Sequence, residues 1–143
     1  MARFDESPRA DLGIAIAAGL IGAAGVVLAS VAAHRVPDPA LVTAANFLML
    51  HATAVLALSA WSAQSRGAPG WWRVAARLIL LGVALFSGAI AAEKVGGFRL
   101  FPMAAPIGGM TLILGWIMVS VAAVVDWRAA GQASATAPRP EAR

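Results

Sequence analysis

The sequence reads as an all-α integral membrane protein, a four-helix bundle of up-down-up-down topology with N-terminus and C-terminus cytoplasmic. Three observations lead there. Four apolar runs, residues 12–33, 41–61, 74–92 and 106–125, fill most of the 143 residues, and each holds roughly the twenty residues that a helix needs to cross a hydrocarbon core about 30 Å thick. Hydrophobic residues make up 60% of the chain and charged ones 13%, with a mean hydropathy of +0.78; a soluble domain does not have this composition. The basic residues are also unequally shared. Arg3, Arg9, Arg66, Arg73, Arg77, Arg128, Arg139 and Arg143 fall on one side of the runs, against Arg35, Lys94 and Arg99 on the other, which places both termini and the second connection in the cytoplasm. Trp61, Trp71, Trp72 and Trp127 collect at that same boundary, where indole rings anchor helices at headgroup level.

These observations exclude several classes of function. The chain has no cysteine, so it has no disulfide, thiolate metal site or cysteine nucleophile. Its net charge of +4 comes from arginines in short gaps and tails and forms no basic face for nucleic acid. Residues 1–128 are expected to be one transmembrane domain, and residues 129–143, rich in Ala, Pro and Ser, a flexible cytoplasmic tail.

The first run carries Gly22, Gly25, Ala29 and Ala33 at spacings of three and four, a small-residue seam that lets a neighbouring helix come close. Its end, Ser30-Val31-Ala32, resembles a signal-peptidase site. The run exceeds a usual signal core and its leader carries Asp5, Glu6 and Asp11, so it is read as a retained helix. Val36-Pro37-Asp38-Pro39 then forces a tight non-helical exit. The second run contains Asn46 and His51. Gly67-Ala68-Pro69-Gly70 breaks the chain again, and short links make successive helices antiparallel. The third run offers Gly82 and the seam Ala84, Gly88, Ala92, and the fourth offers Gly108, Gly109, Thr111 and Gly115. Between them lies the longest connection, residues 93–105, read as an ordered external loop.

Polar residues at membrane depth must find partners or line a cavity. His51 is the one titratable side chain near the middle of a run, and at its depth the other runs present Gly22 and Ala23, Gly82 and Val83, and Gly115 and Trp116. These glycines are expected to make room for a neutral imidazole bonded to a neighbouring carbonyl. Asn46, Ser87 and Thr111 each lie five residues below the outer end of their run, and a hydrogen-bonded cluster centred on Asn46 is predicted there. His34 lies roughly 15 Å from the level of His51 along the helix axis, so the two do not share an ion within one protomer. No metal site and no cofactor are expected; haem held by His51 is the alternative.

Asn46-Phe47-Leu48-Met49-Leu50-His51-Ala52, Phe86-Ser87-Gly88, and Pro106-Ile107-Gly108-Gly109 followed by Gly115-Trp116 together resemble the YgdD-like membrane family, a domain of unknown function with bacterial inner-membrane and mitochondrial relatives. The resemblance covers about residues 13–125 and implies a multi-pass location in the bacterial inner membrane. The family's Gly-Ala-His segment reads Ala32-Ala33-His34 here, and its glutamine before the second histidine is absent. The family brings no reaction to carry over.

The first functional expectation is a structural or accessory subunit that packs against a larger membrane complex, with lipid and a partner or second copy as its contacts. A small oligomeric transporter or channel is the second class, with His51 at the membrane centre in place of a carboxylate, and a haem- or lipid-binding membrane protein is the further alternative. Enzymatic activity is not expected: Glu93-Lys94 reads as a solvated helix end and Asp126-Trp127-Arg128 as a helix stop.

Overall fold

The computed structural model of the chain describes residues 6–65, 67 and 69–136. They form four helices, α1 (Glu6–His34), α2 (Pro39–Gln64), α3 (Pro69–Lys94) and α4 (Ala104–Thr136), with no strand among the described residues. All four are long and apolar enough to cross a membrane.

The helices outrun the apolar stretches because hydropathy marks the thickness of lipid, whereas local chemistry ends a helix. Asp38 caps α2: its backbone is extended and its carboxylate accepts the Ala40 N–H at 2.8 Å, with Pro39 opening the first turn. Gly97 takes the left-handed conformation (φ 71°) after α3, and the chain folds back so that the Phe98 N–H reaches the Ala92 carbonyl at 3.2 Å. At its other end α4 passes straight through Asp126-Trp127-Arg128 and on to Thr136. The expected helix stop and the first part of the expected flexible tail, residues 129–136, are therefore corrected. Residues 129, 130, 133 and 135 are all alanine, the best helix former, and the first proline after them comes only at Pro138, so the helix has no local reason to stop sooner. Residues 137–143 lie outside the described residues.

Successive helices are antiparallel. Gly25 of α1 sits against Ala45, Leu48 and Met49 of α2, the Ser87 hydroxyl of α3 donates to the Ala44 carbonyl of α2 at 3.0 Å, and Gly82 of α3 faces Leu112 of α4. The core stripe of α2 runs Leu41, Ala44, Leu48, His51, Val55, Leu58 and Ser62, the spacing of one helical face. α2 has 44% of its most apolar segment buried, against 22% for α1 and for α4. The difference reflects an open arrangement. α1 packs on α2 and lightly on α3, α4 packs its backbone on α3 alone, and the backbones of α1 and α4 do not meet among the described residues.

Small residues decide where backbones meet. A Cβ built on Gly108 would collide with the backbone of Phe86, one on Gly82 would lie 2.7 Å from the Leu112 nitrogen, and one on Gly115 would lie 2.7 Å from Ile79 Cγ1. Gly25 is as tight, 2.8 Å from Met49 Cγ, whereas Gly22 makes an ordinary contact with Ala52 at 3.4 Å. Gly88 and Gly109 are corrected as packing positions: a Cβ on Gly88 meets nothing within 4 Å and one on Gly109 only Phe86 Cδ2 at 3.9 Å. The seam of α3 is thus Ile79, Gly82 and Phe86, one face round from Ala84, Gly88 and Ala92.

At the end away from the termini, Lys94 Nζ lies 3.0 Å from Asp38 Oδ2 and ties the first connection to the end of α3. The Lys94 ammonium, with the Ala40 N–H second, holds the Asp38 carboxyl below the usual carboxylate range. A carboxyl with its folded pKa depressed contributes stability above its unfolded value, near 3.9, and loses it as pH falls through the folded value. The expected outcome is that the Ala40 and Leu41 amides, corrected for intrinsic rates, exchange faster below about pH 4, and that Asp38→Asn abolishes this pH dependence.

Candidate functional site

The polar groups within the helices form two layers. The first is built around His51, which the core stripe of α2 turns inward and leaves only 5% exposed. Its Nδ1 lies 2.8 Å from the Phe47 carbonyl one turn earlier, and its Nε2 lies 3.3 Å from Nε1 of Trp116 on α4. The carbonyl can only accept and the indole N–H can only donate. Nδ1 therefore carries the hydrogen and Nε2 is bare, which defines a neutral imidazole with both nitrogens engaged. Phe47 stacks at 5.3 Å from the His51 ring and 5.0 Å from Phe86, and Trp116 meets His51 edge-on at 6.1 Å. Backbones of α2 and α4 do not meet, so this side-chain bridge joins them across α3. The expected result from ¹⁵N NMR is the shift pattern of a neutral Nδ1–H tautomer, lost on Trp116→Phe; a fast-averaging pair of ring nitrogens in the unsubstituted protein would contradict it.

Depth counting placed Trp116 at the level of His51, but the expectation was that glycine meets the ring. The structure corrects this: Gly22 faces Ala52, Gly82 faces Leu112 and Gly115 faces Ile79, each closing a pair of helices. The cluster centred on Asn46 is corrected too. Asn46 is exposed on the outer face of α2, Ser87 donates to Ala44, and Thr111 donates to the Ile107 carbonyl of its own helix at 2.8 Å. Residues at one level share a site only if they also share an azimuth, and Asn46 lies two residues, about 200°, round the helix from Ala44.

The second layer lies at the end that holds the termini, and sequence reasoning missed it as a site. Arg73 of α3 grips Asp11 of α1 bidentately, Nε to Oδ1 at 2.9 Å and Nη2 to Oδ2 at 3.0 Å, with the two side chains 16% and 10% exposed. Ser59 of α2 donates to the Asp11 carbonyl at 2.8 Å, and Ser62 donates to the Pro69 carbonyl at 3.2 Å. Planar guanidinium and carboxylate match in geometry, so this contact fixes the crossing of α1 over α3. Beside it, Asp126 of α4 accepts the Ser65 hydroxyl at 2.9 Å and the Trp72 indole N–H at 3.2 Å. Trp61 and Trp72 stand 5.9 Å apart. The signal that could have found Asp11 was its place one turn into a helix that continues beyond its apolar run.

The fold and these contacts define a small multi-pass membrane protein whose intramembrane polar side chains bridge its own helices. The chain belongs to the family described as "Protein of unknown function (DUF423)", whose model matches residues 21–109. It is similar to the UPF0382 membrane protein YwdK of Bacillus subtilis (strain 168), at 30% identity over 114 residues, covering 78% of this chain and 87% of that one. It is also similar to the UPF0382 inner membrane protein YgdD of Escherichia coli (strain K12) and of Shigella flexneri, each at 28% identity over 82 residues, covering 57% of this chain. The match spans 61% of the length of those YgdD relatives. No solved structure matches the chain. Four spanning helices and relatives named as inner membrane proteins make it a multi-pass inner-membrane protein.

Proposed function

We propose that the protein is a non-enzymatic accessory subunit that packs against a larger membrane complex. The observation that supports this reading best is the open edge of the fold: among the described helices the backbone of α4 meets that of α3 alone, with Met110, Ile113, Leu114 and Ile117 exposed along it. The polar groups that a transporter or enzyme would use are instead engaged within the chain. His51 donates to Phe47 and accepts from Trp116, so neither nitrogen is available to carry a proton without breaking the α2–α4 bridge, and haem on Nε2 would have to displace Trp116. On this reading the protein needs no cofactor. Purification of the tagged chain from its own membranes in mild detergent, followed by native mass spectrometry, tests it. A stoichiometric assembly with one larger membrane protein is the expected result, and recovery of the chain alone or only as a homo-oligomer would count against it.

A further inference from the structure

The connection between α3 and α4 folds back against the helices and still exposes large apolar side chains. Gly97 reverses the chain, the Phe98 N–H reaches the Ala92 carbonyl, and the Phe98 ring lies over Gly96, where a Cβ would come 2.6 Å from Phe98 Cε1. Residues 99–106 then face Ala89, Ile90 and Glu93 of α3 across a hollow of about 160 Å³, and the Ala104 N–H closes a turn on the Phe101 carbonyl at 3.3 Å. Phe98, Leu100, Phe101 and Met103 nevertheless remain exposed. Met103 does so in the left-handed conformation (φ 69°), where a turn in water would carry glycine or asparagine.

Depth decides what covers them. The apolar run of α3 ends at Ala92, and Ala89 and Ile90 lie about 3–5 Å below that end at 1.5 Å rise per residue. The part of the connection beside them has therefore returned to the level of the apolar run. One exposed apolar side chain needs no explanation, but these four are close neighbours and form a patch, and the medium at this level is the lipid boundary. Charge agrees. Arg99 is set among them with its side chain 79% exposed, and it bonds Glu93, the first residue past the run, at 3.3 Å. Guanidinium carries five N–H donors in a planar fork that matches phosphate, and the contact with Glu93 uses one of them. We propose that this connection docks on the membrane itself, in the leaflet at the end away from the termini. Leu100, Phe101 and Met103 enter the boundary of the acyl chains, and Arg99 snorkels to the lipid phosphates. The accessory reading concerns the face of α4, so the two stand or fall separately.

The chain has no cysteine, so a single introduced one carries a nitroxide label with no background. Collision of the label with oxygen, which partitions into lipid, is compared with collision with a water-soluble nickel chelate, for the full-length protein in nanodiscs of phosphatidylethanolamine and phosphatidylglycerol. The reference is Pro37→Cys on the neighbouring connection, whose Val36 packs against the core. The expected oxygen-to-nickel ratio is several-fold higher at Leu100→Cys and Phe101→Cys than at Pro37→Cys, with Arg99→Cys close to Pro37→Cys. Ratios at residues 100 and 101 equal to that at residue 37 would overturn the proposal and leave the patch to a protein. Equally high ratios at residues 99, 100 and 101 would overturn it as well, because no step at Arg99 would then mark the phosphate level. Where thermal unfolding shows that a labelled variant has lost its fold, Met103→Cys, at the most exposed of the four positions, replaces it with the same expectation.

Discussion

Gly108→Ala is expected to destabilise the protein by about 2–3 kcal/mol, and Gly108→Leu to release α4 from α3. The physical cause is specific. A Cβ at residue 108 collides with the Phe86 backbone and lies 2.9 Å from the Gly82 carbonyl oxygen, and backbone atoms cannot move aside as the end of a flexible side chain can. Inside lipid the attraction between helices rests on this close approach, because lipid competes well for large apolar side chains. The seam is reciprocal: Gly82 faces the Leu112 nitrogen and Gly115 faces Ile79, so a methyl group at any of the three separates the same helix pair. Gly88→Ala is the control. Nothing lies within 4 Å of its added methyl, and the change is expected to stay within about 0.5 kcal/mol of the unsubstituted protein. Unfolding titrations in mixed detergent micelles, followed by tryptophan fluorescence, measure both. Equal effects at residues 108 and 88 would show that glycine acts through helix propensity alone.

Removing one partner of the Asp11–Arg73 pair has the second large effect. Asp11→Leu leaves a guanidinium only 16% exposed without its carboxylate, and breaking a buried pair from one side costs about 3–5 kcal/mol; partial access to the headgroup region puts the expected value near the lower end. Arg73→Met is expected to cost a similar amount. The double variant, Asp11→Leu with Arg73→Met, leaves no unpaired charge and is expected to recover most of the loss, since apolar replacement of a whole buried pair is often close to neutral. A double-mutant cycle in the same unfolding assay reads the coupling directly. Additive losses would mean that the two residues act independently, and the crossing of α1 over α3 would then need another cause.

The number of helices, their order and their antiparallel succession were legible in the sequence, because twenty apolar residues separated by Pro-Asp-Pro or Gly-Ala-Pro-Gly admit few other arrangements in lipid. Helix ends were not legible in the same way. Asp126-Trp127-Arg128 looks like a stop by polarity, yet α4 continues through it to Thr136; water tolerates a helix that has left the membrane, and alanine favours one. The polar sites were half legible. Counting residues from a membrane boundary gives depth, and it correctly set Trp116 level with His51. Depth says nothing of azimuth, which the apolar α2 sequence hides because it is hydrophobic all round. Asn46 and Ala44 are neighbours in depth and lie on opposite faces, so the hydroxyl of Ser87 went to the Ala44 carbonyl instead of the Asn46 amide. Asp11 and Arg73, 62 residues apart, meet only because α1 lies over α3, a contact that no local pattern encodes.

An accessory role depends on what covers the bare face of α4, and site-specific photo-crosslinking in native membranes reads that face directly. Ile113 and Ile117 are each 54% exposed and point away from α3. A photoactivatable side chain at either position is expected to yield one discrete adduct with a different membrane protein, of the same mass from both sites and absent when the probe replaces the lipid-facing Leu20 on the opposite flank. Adducts with lipid alone, or only with a second copy of this chain, would contradict the accessory reading.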